Sequence, residues 1–340
     1  MVTINDVAKR AGVSPTTAKR AIRSPEKLAS ATLERVQQAI DELHYEPDNL
    51  ASALRSGQSK TVGLVVGSIV EPFFAQLTRT IGKEVRANGY TLLVADSEYE
   101  AANELEQLKA FYGNRIAGLI LRSGYGEPNL PYLQRMQERG TAIIEIDYFF
   151  PGSPFSHVML DNEAGIYTGV DYLASLGHKR IAALGTYHST ILPDERTQAF
   201  PRIMQAAGLA LSDAYQRVIQ PTAQEARALT LDLMALDEPP TALFATTGSL
   251  AVGAFRALRE LDLRIPQDVS LLSFDDYPWT SLVDPPIDVI EQPVKEMGKA
   301  AVRVLFDALN GNASVVRQRF QGKLIKRGSC APPGFAEPMK

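Results

Sequence analysis

Residues 3–23 read TINDVAKRAGVSPTTAKRAIR, and this stretch decides how the rest of the chain is read. Ile4, Val7, Ala8 and Ala11 recur at helical spacing. Gly12 then ends the first helix, because glycine tolerates a left-handed backbone best. Ser14 is a good N-cap, and Pro15 suits the first position of a second helix. In that second helix Ala18, Ala21 and Ile22 share one face and are expected to pack on the first helix. Thr16, Lys19, Arg20 and Arg23 follow the i, i+3, i+4, i+7 spacing and share the opposite face. A helix too short to stand alone, apolar behind and cationic in front, fits a recognition helix in the major groove of DNA.

The pattern continues through residue 57. It runs Thr3-Ile4-x-Asp6-Val7-Ala8, Ala11-Gly12-Val13-Ser14, Thr17 and Arg20, then Thr32-x-x-x-Val36, Leu43, Tyr45-x-Pro47 and Ala51-x-x-Leu54-Arg55. On these residues the segment resembles the DNA-binding headpiece of the LacI/GalR family of bacterial transcription regulators. The resemblance implies that Thr3, Ser14, Pro15, Thr16, Thr17, Lys19, Arg20 and Arg23 meet DNA. Thr16 and Arg20 are the expected base readers, with Lys19 and Arg23 on phosphate or, as the alternative, on bases. Lys19 stands where the family usually has Ser, and Arg23 where it usually has Asn. Both add charge, so the operator need not follow the family's common sequence.

A third helix is expected from about Ala31 to Leu43, with Val36, Ile40 and Leu43 inward. Residues 48–57, DNLASALRSG, have helix propensity but little to bury. Composition alone reads them as a plain linker. The resemblance implies a hinge helix in the minor groove, with Leu54 wedged between base pairs and Ala51 allowing two hinge helices to approach. Ser52 replaces a commonly basic residue there.

The formal net charge of −4 is low for a nucleic-acid binder, but its distribution matters more. Residues 1–23 hold Lys9, Arg10, Lys19, Arg20 and Arg23 against Asp6 alone. At 340 residues the chain suits two or three compact units. It has no apolar run long enough to span a bilayer and no signal peptide pattern, so a cytoplasmic protein with no membrane partner is expected. The single Cys330 excludes an intrachain disulfide.

From Thr61 strand and helix patterns alternate. Apolar runs occur at 61–66, 91–95, 116–121, 141–146, 180–184, 241–245 and 269–274, most of them separated by helical stretches. That alternation predicts parallel sheets covered by helices on both faces. The fold class expected is α/β: an all-α helix-turn-helix headpiece, then a two-lobed, doubly wound parallel-sheet core. The expected boundaries are a headpiece at 1–47, a hinge and linker at 48–60, a core at 61–330 and a disordered tail at 331–340. Within the core, 61–155 with 287–318 form one lobe and 156–286 with 319–330 the other. The lack of a C-terminal leucine heptad argues for a dimer over a coiled-coil tetramer.

Ligands of open parallel sheets bind beyond the carboxyl ends of the strands. Those ends present Phe73, Asp96, Arg122, Asp147, Thr247 and Asp275, a polar set with an aromatic edge that suits a polyhydroxylated ligand. The resemblance extends over about residues 61–329. It rests on Glu71-Pro72-Phe73-Phe74, where the family more often has Asn before Pro. It continues with Asp161-Asn162-x-x-Gly165, Leu176-Gly177-His178-x-x-Ile181, Glu195-Arg196 with Phe200, Ile265-Pro266-x-Asp268-Val269-Ser270, Phe274-Asp275-Asp276, Gln292-Pro293 and Met297-Gly298. It implies a periplasmic-binding-protein-like core with Phe73, Asp147, Arg196 and Asp275 against an effector. Where the family usually has Asn-Asp, this chain has Thr247-Gly248. A negative charge is gone beside Arg122 and Arg196, which favours an anionic effector such as a sugar phosphate or sugar acid.

No nucleotide loop, nucleophile elbow or metal-ligand spacing occurs, and His178 reads as structural. The expectation is a non-enzymatic, ligand-controlled repressor without cofactor or metal. It acts as a homodimer on a near-palindromic operator in double-stranded DNA. An activator would share every feature. A sugar-binding transport protein would lack the headpiece, and an enzyme acting on a sugar would need a catalytic set.

Overall fold

The computed structural model describes residues 2–46, 59–124, 127–150, 152–187, 194–312 and 314–334. The chain divides into two units, Met1–Ser59 and Lys60–Lys340. In the first, helices α1 (Ile4–Ala11), α2 (Pro15–Arg23) and α3 (Ser30–Glu42) enclose Val7, Ala8, Ala18 and Val36. Thr3 caps α1 through a reciprocal box with Asp6, whose carboxylate accepts from the Thr3 N–H at 2.8 Å. These hydrogen bonds hold the Asp6 carboxyl below the usual range. Gly12 ends α1 at φ 62°, where a side chain would be strained. Ser14 caps α2, accepting from the Thr17 N–H at 3.1 Å. Ile22 departs from expectation: it is 38% exposed, and Ala18 and Ala21 alone supply the inner face of α2. Arg10 pairs with Glu42, tying α1 to α3.

The second unit holds two six-stranded sheets. The first runs β2 (Thr91–Asp96), β1 (Thr61–Val66), β3 (Gly118–Leu121), β4 (Ala142–Ile146), β5 (Ser156–Leu160), β11 (Arg317–Phe320). The second repeats that order with β7 (Gln216–Ile219), β6 (Ile181–Thr186), β8 (Ala242–Ala245), β9 (Ser270–Phe274), β10 (Asp288–Glu291) and β12 (Lys323–Ile325). Among the described residues every pairing is parallel except β10 with β12. Buried runs such as Val62–Val66 and Ile181–Thr186 follow, because both faces of each sheet are covered.

Helices α4 (Pro72–Ala87) and α11 (Val294–Leu309) cover one face of the first sheet. Helices α5 (Ala101–Gly113) and α6 (Leu130–Glu138) cover the other. On the second sheet, α7 (Asn162–Ser175) and α8 (Glu195–Ala206) lie opposite α9 (Ala223–Met234) and α10 (Gly248–Glu260). Each face closes around fully buried side chains, among them Leu77, Phe200 and Leu243, each worth ~1.5–3 kcal/mol on removal from water.

The chain changes lobe after β5, after β10 and after β11. The expected divisions therefore move. Residues 156–160 belong to the first lobe rather than the second, 287–291 to the second, and 319–320 to the first. The cause is the short, half-polar character of these strands, which leaves little hydrophobic signal at the crossings. Ala331, placed in the expected tail, is held to the second lobe. The Ala331 N–H donates to Ser270 Oγ at 3.1 Å, and its carbonyl lies 2.9 Å from His178 Nε2. His178 Nδ1 meets Thr241 Oγ1 at 2.9 Å, so the ring is a structural tie, kept neutral by burial. Residues 335–340 lie outside the described residues.

Candidate functional site

In the headpiece, Thr16, Lys19 and Arg20 are exposed on the side of α2 away from Ala18. No ion pair engages Lys19 or Arg20 among the described residues, so this face keeps its positive charge. Thr3, Ser14 and Thr17 have work within the fold. Thr3 serves the α1 cap, and the Ser14 and Thr17 hydroxyls meet each other at 2.9 Å. Pro15 fills the first position of α2. The side chain of Arg23, and Ala51 and Leu54 of the expected hinge, lie outside the described residues.

Between the lobes of the second unit lies a cleft with about 690 Å³ of empty space, its mouth included. It is lined from the first lobe by Glu71, Phe73, Tyr99, Arg122, Asp147 and Tyr148, and from the second by Asn162, Asp194, Glu195, Arg196, Thr247, Asp275 and Gln292. Six of the seven expected ligand residues are thus brought together. Asp96 is the exception. Its carboxylate accepts from the Ile69 N–H at 2.8 Å and the Glu98 N–H at 2.9 Å, fixing the turns after β1 and β2. A short acid at a strand end caps neighbouring backbone readily, and here that role prevails.

Asp147 and Asp275 occupy equivalent places in the two lobes, each just past the fourth strand. Both backbones are left-handed, at φ 68° and 70°. Each N–H donates across to the next strand, Asp147 to Val158 O and Asp275 to Ile290 O, both at 3.0 Å. Outside glycine that conformation is uncommon, and it aims both side chains into the cleft. Their partners differ. Arg122 Nε donates to Asp147 Oδ2 at 3.0 Å, and its guanidinium stacks 4.9 Å from the Tyr99 ring. Asp275 accepts from Gln292 Nε2 at 2.6 Å and from the Gly248 N–H at 3.3 Å. Burial pushes the Asp275 carboxyl up, against the pull of Arg196.

Arg196, only 8% exposed, donates from Nε to Asn162 Oδ1 and from Nη1 to Thr246 O, both at 2.8 Å. Its guanidinium lies 4.1 Å over the Phe274 ring. Asn162 in turn donates to Glu195, which pairs with Arg319 at 2.9 Å. Thr247 caps α10. Asp194 caps α8 and accepts from the Thr186 hydroxyl at 2.5 Å.

These contacts correct the charge argument. Both guanidiniums expected to receive an anion are already engaged inside the protein. Five carboxylates line the same cleft against the two arginines. Gly248 has a steric reason as well: a Cβ there would fall 2.4 Å from the Tyr277 ring. A side chain at Gly248 would thus meet the Tyr277 ring, and an anionic ligand does not follow from the exchange.

The sequence reading missed Glu71, Tyr99, Tyr148, Asn162, Asp194, Glu195 and Gln292 as cleft residues. Four of them, Glu71, Asn162, Glu195 and Gln292, stand inside the family-like motifs Glu71-Pro72-Phe73-Phe74, Asp161-Asn162, Glu195-Arg196 and Gln292-Pro293. Tyr99 carried no signal. It reaches the cleft from a left-handed turn at φ 60° and donates to Glu71 Oε1 at 2.9 Å. Burial and the nearby Asp275 push the Glu71 carboxyl up to about 7.

The geometry describes a two-lobed ligand-binding protein that carries a helix-turn-helix headpiece. Comparison with known proteins agrees. Residues 3–48 match the bacterial regulatory proteins of the lacI family, and residues 170–330 match a periplasmic binding protein-like domain. The HTH-type transcriptional repressor CytR of Escherichia coli (strain K12) is 28% identical over 330 residues, covering 96% of both chains. A chain from Burkholderia thailandensis assigned as a ribose operon repressor is 31% identical, with TM-score 0.70, over 79% of this chain and 99% of its own. The lac repressor dimer bound to operator and the anti-inducer ONPF shares the fold at TM-score 0.86 and 24% identity, over 97% of this chain and 99% of that one. The chain belongs to the lacI family of bacterial regulatory proteins. No described helix is long and apolar enough to cross a membrane.

Proposed function

We propose that this protein is a sequence-specific transcriptional repressor, acting as a homodimer, whose hold on its operator is set by a small polyhydroxylated effector in the interlobe cleft. The observation that carries the reading is the exposed Thr16, Lys19 and Arg20 face on a capped recognition helix, in a chain that also builds a buried polar cleft. The repressor role of CytR and the operator-bound lac dimer support the direction of regulation and the two-fold assembly. Thr16 and Arg20 read bases, and Lys19 and Arg23 hold phosphate. Ala51 and Leu54 serve the operator centre, a role that rests on the family resemblance.

In the cleft, Phe73 supplies an apolar wall for a sugar-like ring, while Asp147, Arg196, Thr247 and Asp275 supply hydrogen bonds to its hydroxyls. Ligand contacts from both lobes favour the closed arrangement, so ligand and operator affinities are reciprocally linked. The test is selection of duplexes from a random pool by the full chain, then titration of the selected site with a sugar panel. Recovery of a near-palindromic site, released or tightened by one ligand class, is expected. A pool that stays random, or a site indifferent to every ligand, refutes the reading.

A further inference from the structure

The charges of the cleft cancel in pairs, with two carboxylates left over. Arg122 is joined to Asp147 at 3.0 Å and Arg319 to Glu195 at 2.9 Å, while Arg196 acts on Asp275. Asp194 is satisfied by the Thr197 N–H and the Thr186 hydroxyl at the start of α8. Glu71 has one neutral donor, Tyr99, and faces Asp275 from the opposite lobe. Beside them Gln292, 6% exposed, donates one amide N–H to Asp275, and its Oε1 makes no hydrogen bond among the described residues. This corner of the cleft is therefore rich in acceptors. Of its donors, the Tyr99 hydroxyl is turned to Glu71 and one N–H of the Gln292 amide to Asp275.

We propose that the effector is a polyhydroxylated ring bearing a protonated primary amine, an amino-sugar chemistry, whose ammonium group lies among Glu71, Asp275 and Gln292 Oε1. The proposal rests on reading the cleft as the effector site. A hydroxyl offers one donor and no charge, whereas an ammonium offers three donors and the single positive charge that balances Glu71. The groups facing Glu71 are Tyr99, Arg122, Asp147 and Asp275. Arg122 is held by Asp147, and none of the others supplies a cation. Without the ammonium, Glu71 retains a proton near neutrality, with its carboxyl at about 7. Arrival of the amine expels that proton.

The test is calorimetry on the full chain with glucosamine and galactosamine against glucose, galactose and their N-acetylamino derivatives. It is run at about pH 6 and about pH 8 in buffers of different ionisation heat. An amine is expected to bind at least about tenfold more tightly than its neutral counterparts. At about pH 6 binding should release a proton, at about pH 8 little or none, and affinity should rise with pH until the sugar amine itself loses its proton. Glu71→Gln should remove the amine preference and the proton release while leaving the fold intact. The wild-type buffer comparison reads the proton without any variant. The proposal is overturned if a neutral counterpart binds as tightly, if no proton is released at about pH 6, or if no amine binds at millimolar concentration. A neutral sugar whose affinity falls in Asp275→Asn overturns the amine alone and leaves the cleft reading standing. A ligand indifferent to Asp275→Asn binds elsewhere and overturns both.

Discussion

Replacing Glu145 by Gln should stabilise the protein above neutral pH. Glu145 lies on β4 with 0% of its surface exposed, near Glu104 at 1%. Its Oε1 accepts from the Phe150 N–H at 3.3 Å, and its Oε2 makes no hydrogen bond among the described residues. Ser153 and Ser123 offer hydroxyls, while Glu104 repels the charge. His157, paired in register on β5, brings no cation, because burial, Arg317 and Arg319 all keep its imidazole neutral. Burial outweighs the hydrogen bonds and raises the carboxyl from 4.5 to about 7. At ~1.4 kcal/mol per pH unit, that rise corresponds to about 3 kcal/mol. The sign follows from proton binding. Between the two values the folded chain holds a proton that the unfolded chain has lost, so stability falls as pH rises through this window and levels off above it. Glu145→Gln removes the ionisation. The variant should match wild type within ~1 kcal/mol at about pH 4 and exceed it by about 3 kcal/mol at about pH 8. Urea unfolding followed by circular dichroism at both pH values measures this. A variant less stable than wild type at high pH, or a difference that does not change with pH, would refute the reasoning.

Arg20→Ala should cost operator binding about 1–3 kcal/mol and relax sequence preference, read by anisotropy on operator and random duplexes; an equal loss on both would assign Arg20 to phosphate instead. Arg196→Lys keeps a charge but loses the fork that joins Asn162 and Thr246, so effector affinity should fall at least about tenfold while operator binding without effector stays unchanged. Gly248→Asp drives a side chain into the Tyr277 ring and should abolish the effector response in a reporter assay. Retention of a full response there would show that Tyr277 moves aside freely.

Much of the fold was legible because its signals are local. The seven apolar runs read from the sequence all became strands, since a strand buried on both faces shows as a continuous hydrophobic run. Strands β5, β7, β10, β11 and β12 were not read. Segments such as Arg317–Phe320 (RQRF) and Lys323–Ile325 (KLI) are only three or four residues long, open on a charge and lie at sheet edges, and little of them is buried. The headpiece boundaries were close because caps are written in neighbouring residues: Thr3 with Asp6, Gly12, and Ser14 with Thr17. Ile22 fooled the periodicity, since a nine-residue helix needs only Ala18 and Ala21 to seat against its neighbours.

The cleft separates two kinds of legibility. That a residue follows a strand can be read from sequence, and this rule found Arg122, Asp147, Thr247 and Asp275. Which partner that residue meets cannot be read the same way, because partners come from distant segments. Arg122 finds Asp147 twenty-five residues on, and Arg196 finds Asn162 thirty-four residues back. The argument for an anionic ligand loses its support at this step, because both arginines at the cleft already have partners within the protein. The same accounting isolates Glu71. It stands where the family more often has Asn, an exchange that adds a charge without adding a cation to match it. Arg122 is tied to Asp147, and Arg196 acts on Asp275 within the second lobe. The group that answers Glu71 must then be a proton or the ligand itself. On the proposed reading, a ligand that bridges Glu71 and Asp275 gains both contacts only while the lobes are close, and that difference is the free energy available to change the hold on DNA.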